Sequence, residues 1–84
     1  SSNRESGYGR YDVMLEPENQ DDLAFILEFK VLEEGEQSLE ETVSAAKKQI
    51  EEKQYARELE ARGIASERIR SYGFAFQGKK VLIG

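Results

Sequence analysis

The chain has 84 residues with 17 acidic and 12 basic side chains, a net charge of −5, and neither cysteine nor histidine. Those absences exclude disulfides, thiolate or imidazole ligands and histidine bases, so any metal must be held by oxygen, as Mg²⁺, Mn²⁺ and Ca²⁺ prefer. The acidic balance counts against this segment holding nucleic acid alone, because phosphate binding depends on clustered Lys and Arg.

In chain order, Tyr8 to Leu15 alternates, with Tyr11, Val13 and Leu15 on one face and Arg10, Asp12 and Met14 on the other. That pattern predicts a strand with a mixed second face. Gly7-Tyr8-Gly9-Arg10 is strand punctuation rather than a phosphate loop, since no helix follows it. The stretch from Glu16 and Pro17 to Asp22 is a polar turn. Leu23 to Val31 resumes as a strand, with Leu23, Phe25, Leu27, Phe29 and Val31 opposite Ala24, Ile26, Glu28 and Lys30. A short loop between two such strands predicts an antiparallel hairpin that brings Asp12 near Glu28. Apolar residues on both faces of Leu23 to Leu27 lead us to expect that strand to be covered on both sides.

Glu33 to Gln37 predicts a loop. The acidic excess of Glu33 to Glu41 reads as a solvated face. Ser38 with Glu41 three residues on forms a capping box, and Gly63 is a natural stop, so one long helix is expected over Ser38–Arg62. Leu39, Val43, Ala46 and Ile50 mark its buried stripe, which Tyr55 and Leu59 continue. Ile69 to Phe76 is a third strand, alternating Tyr72, Phe74 and Phe76 against Ser71, Gly73 and Ala75, with the aromatic side expected against the helix. Gln77-Gly78-Lys79 is a tight turn before a short strand from Lys80 to Ile83. The order is β-β-α-β-β, an α/β arrangement whose helical crossover is long enough to make strands two and three parallel.

Asp12, Glu28 and Lys30 are the candidates to carry chemistry. Two carboxylates on adjacent strands can share one hard cation, with the Phe29 carbonyl as a further oxygen ligand. Lys30, two residues after Glu28, shares its face and can orient a water or offset charge on a phosphate. The competing reading is an exposed Glu28–Lys30 pair on a sheet whose other face is the core. Arg10 shares the face of Asp12, where an ion pair with a surface carboxylate is the expectation.

Gly9-Arg10-Tyr11-Asp12-Val13-Met14, followed by Ala24-Phe25-Ile26-Leu27-Glu28-Phe29-Lys30-Val31, resembles the PD-(D/E)xK nuclease superfamily. More narrowly it resembles the small nuclease-like domain that follows an AAA-type ATPase domain in bacterial and archaeal proteins. The similarity continues through Ala45 to Ile50, Lys53-Gln54-Tyr55 and Tyr72 to Lys80. It implies a restriction-endonuclease-like core spanning residues 1–84 as a single domain, with a mixed sheet flanked by one long helix. It implies that Asp12 and Glu28 hold Mg²⁺ or Mn²⁺, that Lys30 is catalytic and that Gln49 helps to build the site. On the residues alone, Gln49 reads equally as a boundary residue and Tyr55 as a core contact.

The family pattern also has an acidic residue on a helix before the first strand. We therefore expect this chain to be a fragment of a longer, cytoplasmic protein, with that helix on the other side of the sheet. The expected activity is metal-dependent phosphodiester hydrolysis of nucleic acid, DNA above all, with targeting by a partner domain. The alternative is a catalytically silent interaction or regulatory module of an attached AAA-type ATPase. No membrane contact is expected, and an unpaired sheet edge would permit homo-oligomers.

Overall fold

A computed structural model describes residues 2–4 and 9–84 of the chain. Five strands form one sheet in the order β1 (Ser2–Arg4), β2 (Arg10–Leu15), β3 (Ala24–Val31), β4 (Ile69–Gln77) and β5 (Lys80–Ile83). Only the β3–β4 pair is parallel. The parallel pair needs a crossover, and α1 (Leu39–Glu52) with α2 (Tyr55–Ala61) supplies it. β1, which lies beside β2, adds a strand to the expected order, and the expected start of β2 at Tyr8 lies outside the described residues. No described helix is long and apolar enough to cross a membrane.

Local chemistry accounts for the element ends. Between β2 and β3, the Asn19 side chain accepts the Asp21 N–H at 2.9 Å and its carbonyl accepts the Asp22 N–H at 3.0 Å, closing a turn. Ser38 caps α1 by accepting the Glu41 N–H at 3.2 Å. The Glu41 carboxylate reaches past the cap to the Gln37 N–H, so the reciprocal half of the box lands one residue early. At the far end Gly63 takes φ 100, while its N–H and that of Ile64 bond to Glu60 and Leu59. This paired closure satisfies the last carbonyls and needs a left-handed residue, which glycine supplies without strain.

The single long helix expected over Ser38–Arg62 is two helices. Lys53 ends α1, and Gln54 takes the left-handed conformation (φ 57, ψ 36) before α2 begins. Nothing in Lys53-Gln54 breaks a helix by propensity, yet the break turns both Lys53 and Tyr55 toward Asp12.

The helices pack on the face that carries Ala24, Ile26, Glu28 and Lys30, each buried, together with Asp12 and Met14. Ile50, Tyr55, Leu59 and Ile64 complete this core. Burial of the apolar members at about 25 cal/mol per Å² supplies the main drive for docking the helices. The aromatic triplet Tyr72, Phe74 and Phe76 faces the other way, contrary to the expectation that it packs against the helix. Its opposite face presents Gly73 and Ala75, and a Cβ on Gly73 would stand 3.0 Å from the Val43 carbonyl oxygen and 3.1 Å from Ala46 Cβ. Close approach of α1 requires small residues there, so the bulky ones turn outward. Phe74 and Phe76 stack instead on Phe29, with ring centroids 4.8 and 6.2 Å from it.

Among the described residues β3 is covered by helix on one side. On the other, the side to which expectation assigned an upstream helix, Leu23 and Val31 are exposed and Phe25, Leu27 and Phe29 are half-buried.

Candidate metal centre

The β2–β3 register pairs Asp12 directly with Glu28, and Met14 with Ile26 on the same face. Direct cross-strand partners have Cβ atoms about 5 Å apart. Both carboxylates are buried, Asp12 at 1% and Glu28 at 0% exposure, beneath the helices. β4 places Gly73 opposite Glu28 on the other side of β3, so no side chain crowds it from that strand. The exposed-pair reading of Glu28 and Lys30 is thereby overturned, since Lys30 is also buried at 1%. A strand period of two puts Lys30 on the Glu28 face, whereas the Phe29 ring lies on the opposite one.

A buried lysine needs a partner, because an uncompensated charge in the interior costs several kcal/mol. Lys30 Nζ donates to both oxygens of Glu36, at 2.8 and 2.9 Å, and lies 3.5 Å from Glu33. Glu36 also accepts the Glu33 N–H at 2.7 Å and the Thr42 hydroxyl at 3.1 Å. Its burial works against ionisation, but these hydrogen bonds, led by Lys30, outweigh that and hold its carboxyl below the usual glutamate value. Glu36 thus leaves the solvated acidic face to which its sequence context assigned it, whereas Glu33 stays exposed on that face.

Gln49 faces the sheet, and its Oε1 accepts the Arg10 guanidinium at 2.9 Å. Arg10 also pairs with Glu33 at 3.8 Å, in line with its expected ion pair. So Gln49 reaches the same face as Asp12 through Arg10, the residue two before it on β2.

Two residues on Asp12 stand outside the set expected from the sequence. The Tyr55 hydroxyl donates to Asp12 Oδ2, and Lys53 Nζ lies 3.6 Å from the same oxygen. The Tyr55 ring does pack in the core, as expected, but its polar end is committed to the carboxylate. The one signal for this in the sequence is the amphipathic character of tyrosine itself: a buried phenol needs an acceptor. Lys53 has no comparable signal.

The donor set suits a hard cation. Two buried, directly opposed carboxylates supply oxygen alone, the donor type that such a cation takes. No group of three or more acidic, histidine or cysteine residues that could hold a metal occurs among the described residues, so a cation here would draw few ligands from the protein. Mg²⁺ tolerates that arrangement, since it keeps several waters.

Searches of curated proteins and of solved structures returned no match to the chain. A comparison with protein families matches residues 1–84 to the PD-(D/E)XK nuclease superfamily. The match spans the hairpin with its opposed carboxylates, the crossover helices above them and the closing strands, and on it the chain belongs to the PD-(D/E)XK nuclease superfamily.

Proposed function

We propose that this protein hydrolyses phosphodiesters of DNA with the help of Mg²⁺ or Mn²⁺ held by Asp12, Glu28 and the Phe29 carbonyl. The observation that carries this reading is the Asp12–Glu28 register on the helix-covered face, with Lys30 on the same side. A bound cation there would lower the pKa of water and offset charge developing on the phosphate. Asp12 and Glu28 hold and orient it through carboxylates buried between sheet and helices. Lys30 supplies a positive charge on the same face, and Glu36 sets the position of its ammonium. Gln49 anchors Arg10 beside Asp12, which steers a second cation toward a bound phosphate. DNA is held mainly by another part of the protein, an AAA-type ATPase domain in the same chain, because −5 charges repel a polyanion.

A second reading has its own support. Lys53 and Tyr55 already engage Asp12, and Lys30 is committed to Glu36. Such a closed charge network suits a nuclease fold retained as a silent interaction module of that ATPase. Calorimetric titration of Mn²⁺ and Mg²⁺ into the chain and into Asp12→Ala and Glu28→Ala separates the two. Binding lost in both variants, together with cation-dependent nicking of DNA, supports hydrolysis. Absence of binding in the parent chain leaves the silent module.

A further inference from the structure

The break between α1 and α2 has a chemical result. In an unbroken helix, residues two apart point in nearly opposite directions and share no neighbour. Lys53 and Tyr55 are two apart, yet both reach Asp12 Oδ2. The left-handed Gln54 between them makes this possible, a conformation that a residue with a Cβ adopts at a cost. That cost is borne at the one place where it turns two donors onto a buried carboxylate.

The two donors differ in kind. Tyr55 is 3% exposed and approaches Asp12 from within the core. Lys53 is about a third exposed along its side chain and approaches from the solvent side. We propose that Tyr55 is a positioning residue that fixes the Asp12 carboxylate for a divalent cation. In the same proposal, Lys53 is the placeholder charge that occupies the cation's side of Asp12 until the cation displaces it. This rests on Asp12 being a ligand, as in the function proposed above.

The placeholder role follows from electrostatics. Asp12 and Glu28 oppose each other in a buried setting, where like charges repel strongly unless compensated. Lys30 is held by Glu36 and Glu33, and Lys53 brings an ammonium to 3.6 Å from Asp12 Oδ2. A lysine that pairs with a ligand carboxylate competes with the cation, whereas a phenol that donates to one of its oxygens orders it for binding.

The two roles predict opposite effects on Mn²⁺ affinity, which a merely structural role would leave alone. Calorimetry of the 84-residue chain at fixed pH, well below its melting temperature, reads both. Tyr55→Phe weakens Mn²⁺ binding about ten-fold, the lower end of the range for partners that orient metal ligands. Lys53→Gln tightens it several-fold, and Lys53→Arg restores the parent value. Lys53 caps the end of α1 with its side chain about a third exposed, so its variants keep the test decisive if Tyr55→Phe fails to fold. If the parent chain binds Mn²⁺ and Lys53→Gln stays within about two-fold of it, or weakens it, the inference is overturned and the proposed function stands. If the parent chain binds no Mn²⁺, both fall together.

Discussion

Replacing Glu36 by Gln removes the charge that compensates Lys30 while keeping the side chain's shape. In the parent structure Lys30 Nζ makes hydrogen bonds of 2.8 and 2.9 Å to the two Glu36 oxygens. Breaking one side of a fully buried pair costs about 3–5 kcal/mol. Glu36 keeps 17% side-chain exposure, and Glu33 at 3.5 Å takes up part of the charge. A loss of about 2 kcal/mol is therefore expected, or roughly a 10 °C fall in melting temperature for a domain of this size.

The pH dependence gives the sharper test of Glu36→Gln. The folded carboxyl of Glu36 titrates below its usual value, so its ionised form contributes stability that is fully present above the unfolded pKa. That contribution is lost as pH falls through the unfolded value toward the depressed folded one. Urea unfolding followed by circular dichroism, from neutrality down to about pH 3, should show parent and variant far apart at pH 7 and converging in acid. A gap that is the same at both ends, or a loss below about 0.5 kcal/mol at pH 7, would refute the compensation argument. Adding Lys30→Met to Glu36→Gln should recover part of the loss, because the charge left without its partner is gone.

Four further outcomes follow from the packing. Gly73→Val forces a branched side chain against the Val43 carbonyl and Ala46, and should cost about 2 kcal/mol or more in chemical unfolding. Leu59→Ala empties a fully buried site between α2 and the sheet and should cost about 3 kcal/mol; a loss under 1 would mean that α2 is not docked as described. Gln54→Gly relieves the left-handed backbone and should raise stability by up to about 1 kcal/mol, with any clear loss contradicting that geometry. Val81→Lys, on a residue 52% exposed, should change stability by no more than about 0.5 kcal/mol; a larger loss would show that its face is covered.

Much of the fold was legible because the strongest local signals agree with the tertiary outcome. Alternation through Tyr11, Val13 and Leu15 marks β2, Ser38 caps α1, and Gly63 closes α2. The hairpin's pattern put Asp12 near Glu28, and the observed register pairs them directly; a slip of one residue would turn one of them to the opposite face from the other. Which face the helices cover was not legible. Leu27 and Phe29 look more like core than Ala24 and Glu28, and only the close approach at Gly73 decides otherwise. The helix break was hidden because Lys53 and Gln54 are ordinary helix formers. Glu36 was hidden in a run of acidic residues whose partner, Lys30, is reached only once the loop folds back.

The opposed pair on β2 and β3 also bears on how the chain folds. The two strands are joined by a short loop and can meet early, but they meet with Asp12 facing Glu28. Lys53 and Tyr55 arrive only when the sequence-distant helices dock, and the parallel strand β4 arrives later along the chain still. An isolated hairpin is marginal at best, and this one sets two acids opposite each other on the face that the helices cover. The hairpin therefore gains most from the helices at the step where they close over it. Its formation is tied to that closure, and the charge arrangement that equips the site also makes the folding transition more nearly all-or-none.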